Sequence, residues 1–264
     1  MAQIYHYTSI ETLALILTHK TIRFNRLDQV DDIEESLYGS GQPNLNMGQY
    51  QFVSCWTKDK TENLSLWKMY TDYKGVRIGM DENMFIGYKV NSVFQSFFSE
   101  WFKIIDDCMF LWPLNEIRLY DIQYVNNYEK KIKSLIKTKG DEISFNPQEF
   151  GIYKNKEWEF QKESRFKLMA SPLDPDLCKK IKTDSTYHHV LGLINTFIPS
   201  LLNNYKIKTT YIDMPLNSKV LNEIEIMMGP QTSEAEKYIV GALLQPYTKA
   251  IIIDSKFKGK IRKK

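Results

Sequence analysis

The chain has 264 residues, 43% of them hydrophobic and 25% charged, and its 35 basic and 32 acidic side chains leave a formal net charge of +3. This composition is typical of a globular protein that can bury a core, and it excludes a mainly disordered chain. So small an excess of positive charge gives no strong signal for nucleic acid.

The cysteines, the N-terminus and the apolar segments indicate the cellular compartment of the protein. The three cysteines are far apart and have no Cys-x-x-Cys spacing, which argues against a disulfide framework or a zinc site and favours a reducing compartment. The N-terminus lacks the basic-then-apolar pattern of a secretory signal, and no apolar run approaches membrane-spanning length. We therefore predict a cytoplasmic protein without a membrane partner.

The first elements in chain order are a strand, a helix and a second strand. An apolar strand ends at Thr8, and Ser9 stands where a helix N-cap belongs. Apolar residues then recur at the spacing of one helix face up to Leu17, and a strand follows over 21–25. The next stretch, 28–48, is acidic and turn-prone, and it predicts a surface loop.

Further elements follow to the C-terminus. Strands are predicted at 51–56, 76–80, 117–125, 160–169, 224–228 and 250–254, and helices at 64–70, 125–136, 187–202 and 233–244. The segment 82–115 is rich in aromatic residues and predicts a helical insertion packed over a sheet. Strands and helices do not alternate regularly, so a doubly wound parallel sheet is not expected. We predict one α+β domain over 1–264.

The motifs of common nucleotide-binding and hydrolytic sites, including the P-loop and the GxGxxG, HExxH and GxSxG patterns, are absent. Asp31 and Asp32 with Glu163 offer hard oxygen ligands for magnesium, as a metal-dependent nuclease needs. A solvated loop explains the two aspartates better. Arg165 also stands where such nucleases place a lysine, and arginine does not readily give up a proton.

Three segments combine in a particular order. His6-Tyr7-Thr8 ends a strand, Tyr70 lies on a helix after a second strand, and Gln161-Lys162-Glu163 opens a later strand. Together they resemble the His-Tyr-Glu version of the ADP-ribosyltransferase superfamily. Tyr7 replaces the glycine usual in the first motif, and Gln161 with Glu163 is similar to the Gln-x-Glu form of some toxins in that superfamily. Taken singly, the alternation of Glu163 and Arg165 with Phe166 indicates only an exposed, charged strand face.

Nearly the whole chain also resembles a bacterial family described only as a domain of unknown function. The shared features are Tyr-His-Tyr-Thr, a Cys-[Phe/Trp]-[Ser/Thr] strand, Trp-x-x-Tyr before Gly-Val, Lys-x-x-x-Trp-x-x-[Glu/Gln]-x-Glu-x-Arg, and Gly-Pro. They correspond here to His6–Thr8, Cys55–Thr57, Trp67–Val76, Lys154–Arg165 and Ile226–Pro230.

The superfamily resemblance implies a split, antiparallel-rich β-sheet with helical insertions and a site that uses NAD as a substrate without a metal. Glu163 would stabilise the positive charge that develops on ribose, Tyr70 would stack on nicotinamide, and Gln161 would position an acceptor. The expected NAD-binding residues are His6, Tyr7, Thr8, Ser9, Arg23, Trp67 and Arg77.

The implied activity is cleavage of the nicotinamide–ribose bond and transfer of ADP-ribose to a protein, nucleic-acid or small-molecule acceptor, or to water. Bacterial toxins and phage-defence effectors are settings in which such folds often occur. The alternative is an inactive nucleotide-binding or protein-interaction module of the same fold. The two differ at Glu163, which must face the same cleft as His6 and Tyr70 in an enzyme.

Overall fold

A computed structural model describes residues 2–37, 46–86, 103–105, 109–112, 117–139, 142–172, 176, 199–200 and 203–262. The strands are β1 (Gln3–Thr8), β2 (Thr21–Arg26), β3 (Gln51–Thr57), β4 (Val76–Asp81), β5 (Lys103–Ile105), β6 (Met109–Trp112), β7 (Leu119–Asp121), β8 (Gln123–Val125), β9 (Ile136–Lys139), β10 (Glu142–Phe145), β11 (Tyr153–Asn155), β12 (Glu163–Pro172), β13 (Tyr211–Pro215), β14 (Glu225–Met228) and β15 (Ile251–Asp254). The α-helices are α1 (Ile10–His19), α2 (Leu64–Thr71), α3 (Tyr128–Lys133), α4 (Ser218–Asn222) and α5 (Glu234–Leu244).

One large sheet joins most of these strands. Its main order is β15-β14-β4-β1-β3-β12-β6-β5, with β2 beside β3, β13 beside β2, and β7 beside β12. Every pair in it is antiparallel except β14 and β15 at one edge. That parallel pair is connected through α5, because parallel strands need a crossover. The prediction of an α+β fold is confirmed, and the sheet is mostly antiparallel.

The sheet is nearly divided between β1 and β3. β1 pairs with β4 along its whole length, from Gln3 to Thr8, and β3 pairs with β12 from Gln51 to Thr57. Between β1 and β3 themselves, the register contains a single residue pair, Tyr5 with Thr57. Since β3 pairs instead with β2 at Phe52 and Val53, β1 and β3 leave an opening at this seam.

Alternate side chains of β1 enter two different cores. Ile4 joins the large core, which also receives residues of α1 and α5 such as Leu13 and Val240. Tyr7 points to the opposite face and packs against Trp67 of α2. This alternation follows from the two-residue period of a strand. The seam of the sheet therefore lies between helices on both faces.

The predicted helix starts are confirmed in detail. The Ser9 hydroxyl accepts a hydrogen bond from the Thr12 backbone N–H at 3.1 Å, and α1 ends at Lys20 in the left-handed conformation. Ser233 caps α5 reciprocally with Glu236, because each side chain bonds the other residue's backbone N–H. Among the helices of these described ranges, none is long and apolar enough to cross a membrane.

The surface-loop prediction for 28–48 is only partly right where the structure describes it. Gln29, Asp31, Ile33 and Glu34 are exposed, as predicted, but other residues of the segment are not. Asp32 and Glu35 are buried, and the turn Met47–Tyr50 is buried as well. Glu35 points inward because the cationic side chains of Lys154 on β11 and Arg165 on β12 lie beside it. Residues 38–45 of this prediction lie outside the described part of the chain.

Two helix predictions need correction. In the segment 82–115, Lys103–Ile105 and Met109–Trp112 are strands that extend the sheet beyond β12, and 87–102 lies outside the described residues. The helix predicted over 125–136 is shorter, Tyr128–Lys133, because Ile136 begins a strand paired with β10. Of the helix predicted at 187–202, only 199–200 is described, and it is helical.

Candidate functional site

A small pocket opens at the seam between β1 and β3. It has a volume of about 60 Å³ and is bordered by the end of α2 and the start of β12. Its lining residues are Tyr5, His6, Tyr7, Cys55, Trp56, Thr57, Leu66, Tyr70, Gln161 and Glu163. Five residues predicted for the site are therefore brought together: His6, Tyr7, Tyr70, Gln161 and Glu163.

Glu163 is the buried acidic group of this pocket. It begins β12 opposite Thr57 and is 7% exposed. One carboxylate oxygen accepts a hydrogen bond from Arg165 Nε, and the other accepts from Arg165 Nη2 at 3.1 Å and from Lys154 Nζ at 3.2 Å. Glu163 thus faces the same pocket as His6 and Tyr70, and it is ion-paired inside the protein rather than on a solvated face.

Arg165 connects Glu163 to a second buried carboxylate, Glu35. Its Nη2 donates to Glu35 at 2.8 Å, its Nη1 donates to the other oxygen of Glu35, and Lys154 Nζ lies 3.3 Å from Glu35. These four side chains, Glu35, Lys154, Glu163 and Arg165, form a buried charge quartet with two charges of each sign. The predicted exposed face of β12 is therefore wrong, because Glu163, Arg165 and Lys167 are all buried.

The quartet sets the ionisation of Glu163. Burial alone would raise the pKa of this carboxyl, but the charges of Arg165 and Lys154 outweigh burial and hold the pKa at about 2. The Arg165 guanidinium stays charged, because burial is outweighed by Glu163 and Glu35, which raise its pKa. Glu163 is consequently a carboxylate at every physiological pH.

A hydrogen-bond chain leads from the quartet to the mouth of the pocket. Lys154 Nζ donates to Gln161 Oε1 at 2.8 Å, and Gln161 Nε2 donates to the Tyr70 hydroxyl at 3.0 Å. That hydroxyl donates to Asp31 Oδ2 at 3.2 Å. Tyr70 is 42% exposed as a whole residue, and burial together with the Asp31 charge raises the pKa of its hydroxyl.

His6 is held as a neutral ring. Its Nδ1 lies 2.8 Å from the Cys55 carbonyl oxygen. A carbonyl can only accept, so Nδ1 carries the proton, and burial lowers the pKa of the imidazole. Nε2 is then the nitrogen with the lone pair, able to accept a hydrogen bond from a hydroxyl group. The imidazole ring packs against the Trp56 ring, with the two ring centroids 5.1 Å apart.

The pocket contains one thiol. Cys55 lies on β3 opposite Arg165, and burial followed by the nearby Glu163 charge raises the pKa of the thiol. The thiol therefore stays protonated at neutral pH, which makes it a poor nucleophile.

The remaining predicted NAD-binding residues do not line this pocket. The Ser9 hydroxyl caps α1, and Thr8 is buried beside it. Arg23 is exposed and paired with Asp213, 2.9 Å from Nε to Oδ1, with its guanidinium over the Tyr211 ring. Arg23 is therefore not placed to bind NAD in this pocket.

Trp67 and Arg77 support the pocket from behind. Trp67 is completely buried, its indole donates to Glu62 at 3.1 Å, and its ring makes a T-shaped contact with the Tyr7 ring, 4.8 Å between centroids. Arg77 is 2% exposed, lies over the Tyr5 ring at 4.3 Å, and donates to the Lys60 carbonyl at 2.9 Å. Both side chains pack beneath tyrosines that line the pocket.

Sequence reasoning gave no role to Lys154, Arg165 and Glu35. The first two occur in the Lys-x-x-x-Trp-x-x-[Glu/Gln]-x-Glu-x-Arg segment, which was the available signal. In the structure, Lys154 lies 4.6 Å from the Trp158 ring centroid and bonds both Gln161 and Glu163. Glu35 had no such signal, because it reaches the cluster from a different part of the chain.

Comparison of the chain with protein-family models, with curated proteins and with solved structures gave no match. Within the described ranges, no group of three or more histidine, cysteine, aspartate or glutamate side chains is arranged to hold a metal ion. Asp31 bonds Tyr70, and Glu163 is turned to Arg165 and Lys154. The function therefore has to be inferred from the geometry of the pocket.

Proposed function

We propose that this chain is an ADP-ribosyltransferase-like enzyme that cleaves the nicotinamide–ribose bond of NAD and passes ADP-ribose to an acceptor. The single observation that carries the proposal is the position of Glu163. An ionised, buried carboxylate at the start of β12 faces a pocket shared with His6 and Tyr70. The mostly antiparallel sheet, with a single residue pair between β1 and β3, supports the proposal because the resemblance implies a split, antiparallel-rich sheet.

The proposed chemistry uses charge stabilisation at ribose. As the bond from C1′ to nicotinamide breaks, its electron pair leaves with nicotinamide and positive charge develops on the ribose ring. The Glu163 carboxylate stabilises that charge, as carboxylates do in glycoside hydrolysis. A fixed, water-poor site strengthens this effect because no solvent has to reorganise.

The other lining residues fit the nicotinamide end of the dinucleotide. Tyr70, whose ring is partly exposed at the mouth, offers an aromatic face to the cationic pyridinium. His6, neutral and unprotonated at Nε2, accepts a hydrogen bond from a ribose hydroxyl. A pocket of about 60 Å³ is far smaller than the roughly 300–1,000 Å³ of typical ligand sites, so only a small part of NAD can enter it.

Nicotinamide release from NAD is the direct test, with wild type compared to Glu163→Gln. We expect the variant to lose at least about 100-fold in rate, because the amide carries no charge to oppose the developing cation. Glu159→Gln is the matched control, since Glu159 is exposed and lies just before the same strand. Release by the Glu163→Gln protein at the wild-type rate would overturn the assignment.

Glu163→Gln must also be shown to be folded, because it removes one charge from the buried quartet. Circular dichroism and urea unfolding at the assay temperature provide this check. Adding cell lysate as a source of acceptors then separates transfer from hydrolysis. Faster release with lysate indicates transfer, and an unchanged rate indicates that water is the acceptor.

A second candidate function is a nucleotide-binding module without catalysis. The observation that favours it is the pairing of Glu163 with both Arg165 and Lys154, which reduces the negative charge available to a ligand. For this function, NAD raises the melting temperature of the wild-type protein but no nicotinamide is released. Release that depends on Glu163 excludes it.

A further inference from the structure

The amide of Gln161 is engaged by internal hydrogen bonds in this structure. It is 3% exposed, and both ends of its amide are occupied, Oε1 by Lys154 and Nε2 by the Tyr70 hydroxyl. The role implied for Gln161 by resemblance, positioning of the acceptor, can therefore be shared with the group to which its hydrogen bonds lead.

The direction of the hydrogen-bond chain identifies that group. Lys154 is a donor only, so the Gln161 oxygen must face it and the Gln161 nitrogen must face Tyr70. The Tyr70 oxygen accepts that bond, and its own proton is directed to Asp31. The chain thus begins at a buried cation and ends at an exposed carboxylate, which is only an acceptor.

Asp31 is also held in place by the segment that carries it. Within this segment, Glu35 is clamped by Arg165, and Glu34 accepts a hydrogen bond from Asn155 at 3.3 Å. The Glu34 backbone N–H further bonds Asp32 Oδ1 at 3.0 Å. Residues 31–35 are therefore fixed to β11 and β12, and Asp31 Oδ2 lies 3.2 Å from the hydroxyl of Tyr70, a residue that lines the pocket.

We propose that Asp31 is the general base on the acceptor side of the reaction. This inference rests on the proposed function. With water as the acceptor, the water oxygen bonds C1′ of ribose while the C1′ bond to nicotinamide breaks, and the water proton passes to the Asp31 carboxylate. The products are nicotinamide and ADP-ribose, and Asp31 then releases its proton to solvent. Tyr70 positions the carboxylate, because the phenol proton occupies one of its oxygens.

Chemical rescue tests this role with a group that needs no base. Asp31→Asn keeps an oxygen for Tyr70 but cannot take a proton, and general bases typically contribute about 10²–10⁴-fold. We expect nicotinamide release by the variant to fall by at least about 100-fold, and sodium azide to restore it, because azide attacks C1′ without losing a proton. Glu163→Gln should not be rescued, since azide as the nucleophile does not replace the carboxylate that stabilises the developing charge on ribose.

The matched control is Asp72→Asn. Asp72 is exposed at the end of α2, is paired with Lys68, and has the left-handed conformation that asparagine tolerates. This variant should release nicotinamide at the wild-type rate, with or without azide.

The outcomes separate this inference from the proposed function. A wild-type rate in Asp31→Asn, or a low rate that azide does not restore, overturns the role of Asp31 while Glu163-dependent release upholds the enzyme. No release by the wild-type protein overturns both. Azide rescue confined to Asp31→Asn supports the base.

Discussion

At the scale of single residues, the main feature is a set of four charges inside the protein. Glu35, Lys154, Glu163 and Arg165 are each at least nine-tenths buried. The cost of removing charges from water is large, and only close pairing offsets it. Alternation along β12 could identify the face that carries Glu163 and Arg165, but not its burial, because the covering carboxylate comes from residue 35.

Arg165→Met tests how far the quartet depends on its central cation. The substitution leaves two buried carboxylates with only Lys154 as a cationic partner. We expect the free energy of unfolding to fall by about 3–5 kcal/mol, the usual cost of leaving a buried charge unpaired. Urea unfolding gives this value.

The double variant Arg165→Met with Glu35→Gln also removes the charge of the carboxylate that Arg165 held. It therefore separates the cost of an unpaired buried charge from the cost of the altered side-chain shape at position 165. It should be more stable than Arg165→Met alone, with a coupling of about 0.5–3 kcal/mol. Strictly additive losses would show that Glu35 and Arg165 do not interact.

The buried side chain of Lys167 should make the free energy of unfolding depend on pH. Its ammonium is buried and donates to the carbonyls of Gln148 and Phe150, and burial lowers its pKa to about 7 despite the opposing charge of Glu149. The unfolded chain has a lysine pKa near 10.4, so above pH 7 the unfolded state binds more protons than the folded state. This contribution to stability therefore rises from pH 7 upward.

The measurement is urea unfolding at pH 7.0, 7.75 and 8.5 for wild type and Lys167→Met. The unfolding free energy of the wild type minus that of Lys167→Met should increase with pH, by at most about 1.4 kcal/mol per pH unit. Comparison within the pair removes the opposite trend from Cys55, whose raised pKa lowers stability once the unfolded thiol ionises. A difference that is constant over this range would contradict the lowered pKa.

At the scale of elements, the sequence predicts a helix or strand correctly where residues close in the chain determine it. Ser9 and Ser233 both cap the helices that their position predicted, and Leu64–Thr71 and Ile251–Asp254 are the helix and strand expected. The wrong predictions occur where pairing with residues distant in sequence determines the structure. The strand Met109–Trp112 pairs with β12 from a segment whose own pattern indicated a helix, so tertiary pairing prevailed over local preference.

The turn between α2 and β4 depends on a close approach at Gly75. A Cβ there would lie 2.2 Å from the Thr8 carbonyl oxygen, at the end of β1. We expect Gly75→Ala to lower the free energy of unfolding by about 1–3 kcal/mol, because the backbone has to move apart. The loss would also disturb the end of β1, which carries His6 into the pocket.

Gly241→Ala is the matched control within α5. A Cβ at Gly241 meets nothing within 4 Å, and alanine is the better helix former. Thermal unfolding should show a gain of about 0.4–1 kcal/mol for Gly241→Ala. Equal effects of the two substitutions, in either direction, would contradict the close approach at Gly75.

At the scale of the molecule, the sequence order indicated the α+β class but not the order of strands. His6 and Glu163 reach one pocket because β1 and β12 flank the same strand, β3. A strand's pattern carries its period and its faces, but not the identity of its neighbours. The pocket residues could therefore be suggested together through a resemblance, whereas the quartet and the Asp31 contact required the structure.

The thin pairing between β1 and β3 has a consequence for unfolding. On one side of it lie β1, β4, β14 and β15, and on the other lie β2, β3, β12 and their neighbours. The described strands cross from side to side between β1 and β2, β3 and β4, β4 and β5, and β13 and β14. Neither side is a continuous piece of chain, so neither can be released intact by one cut. The chain crossings thus join the two sides covalently where few backbone hydrogen bonds connect them. We therefore expect both walls of the pocket to unfold as one cooperative unit.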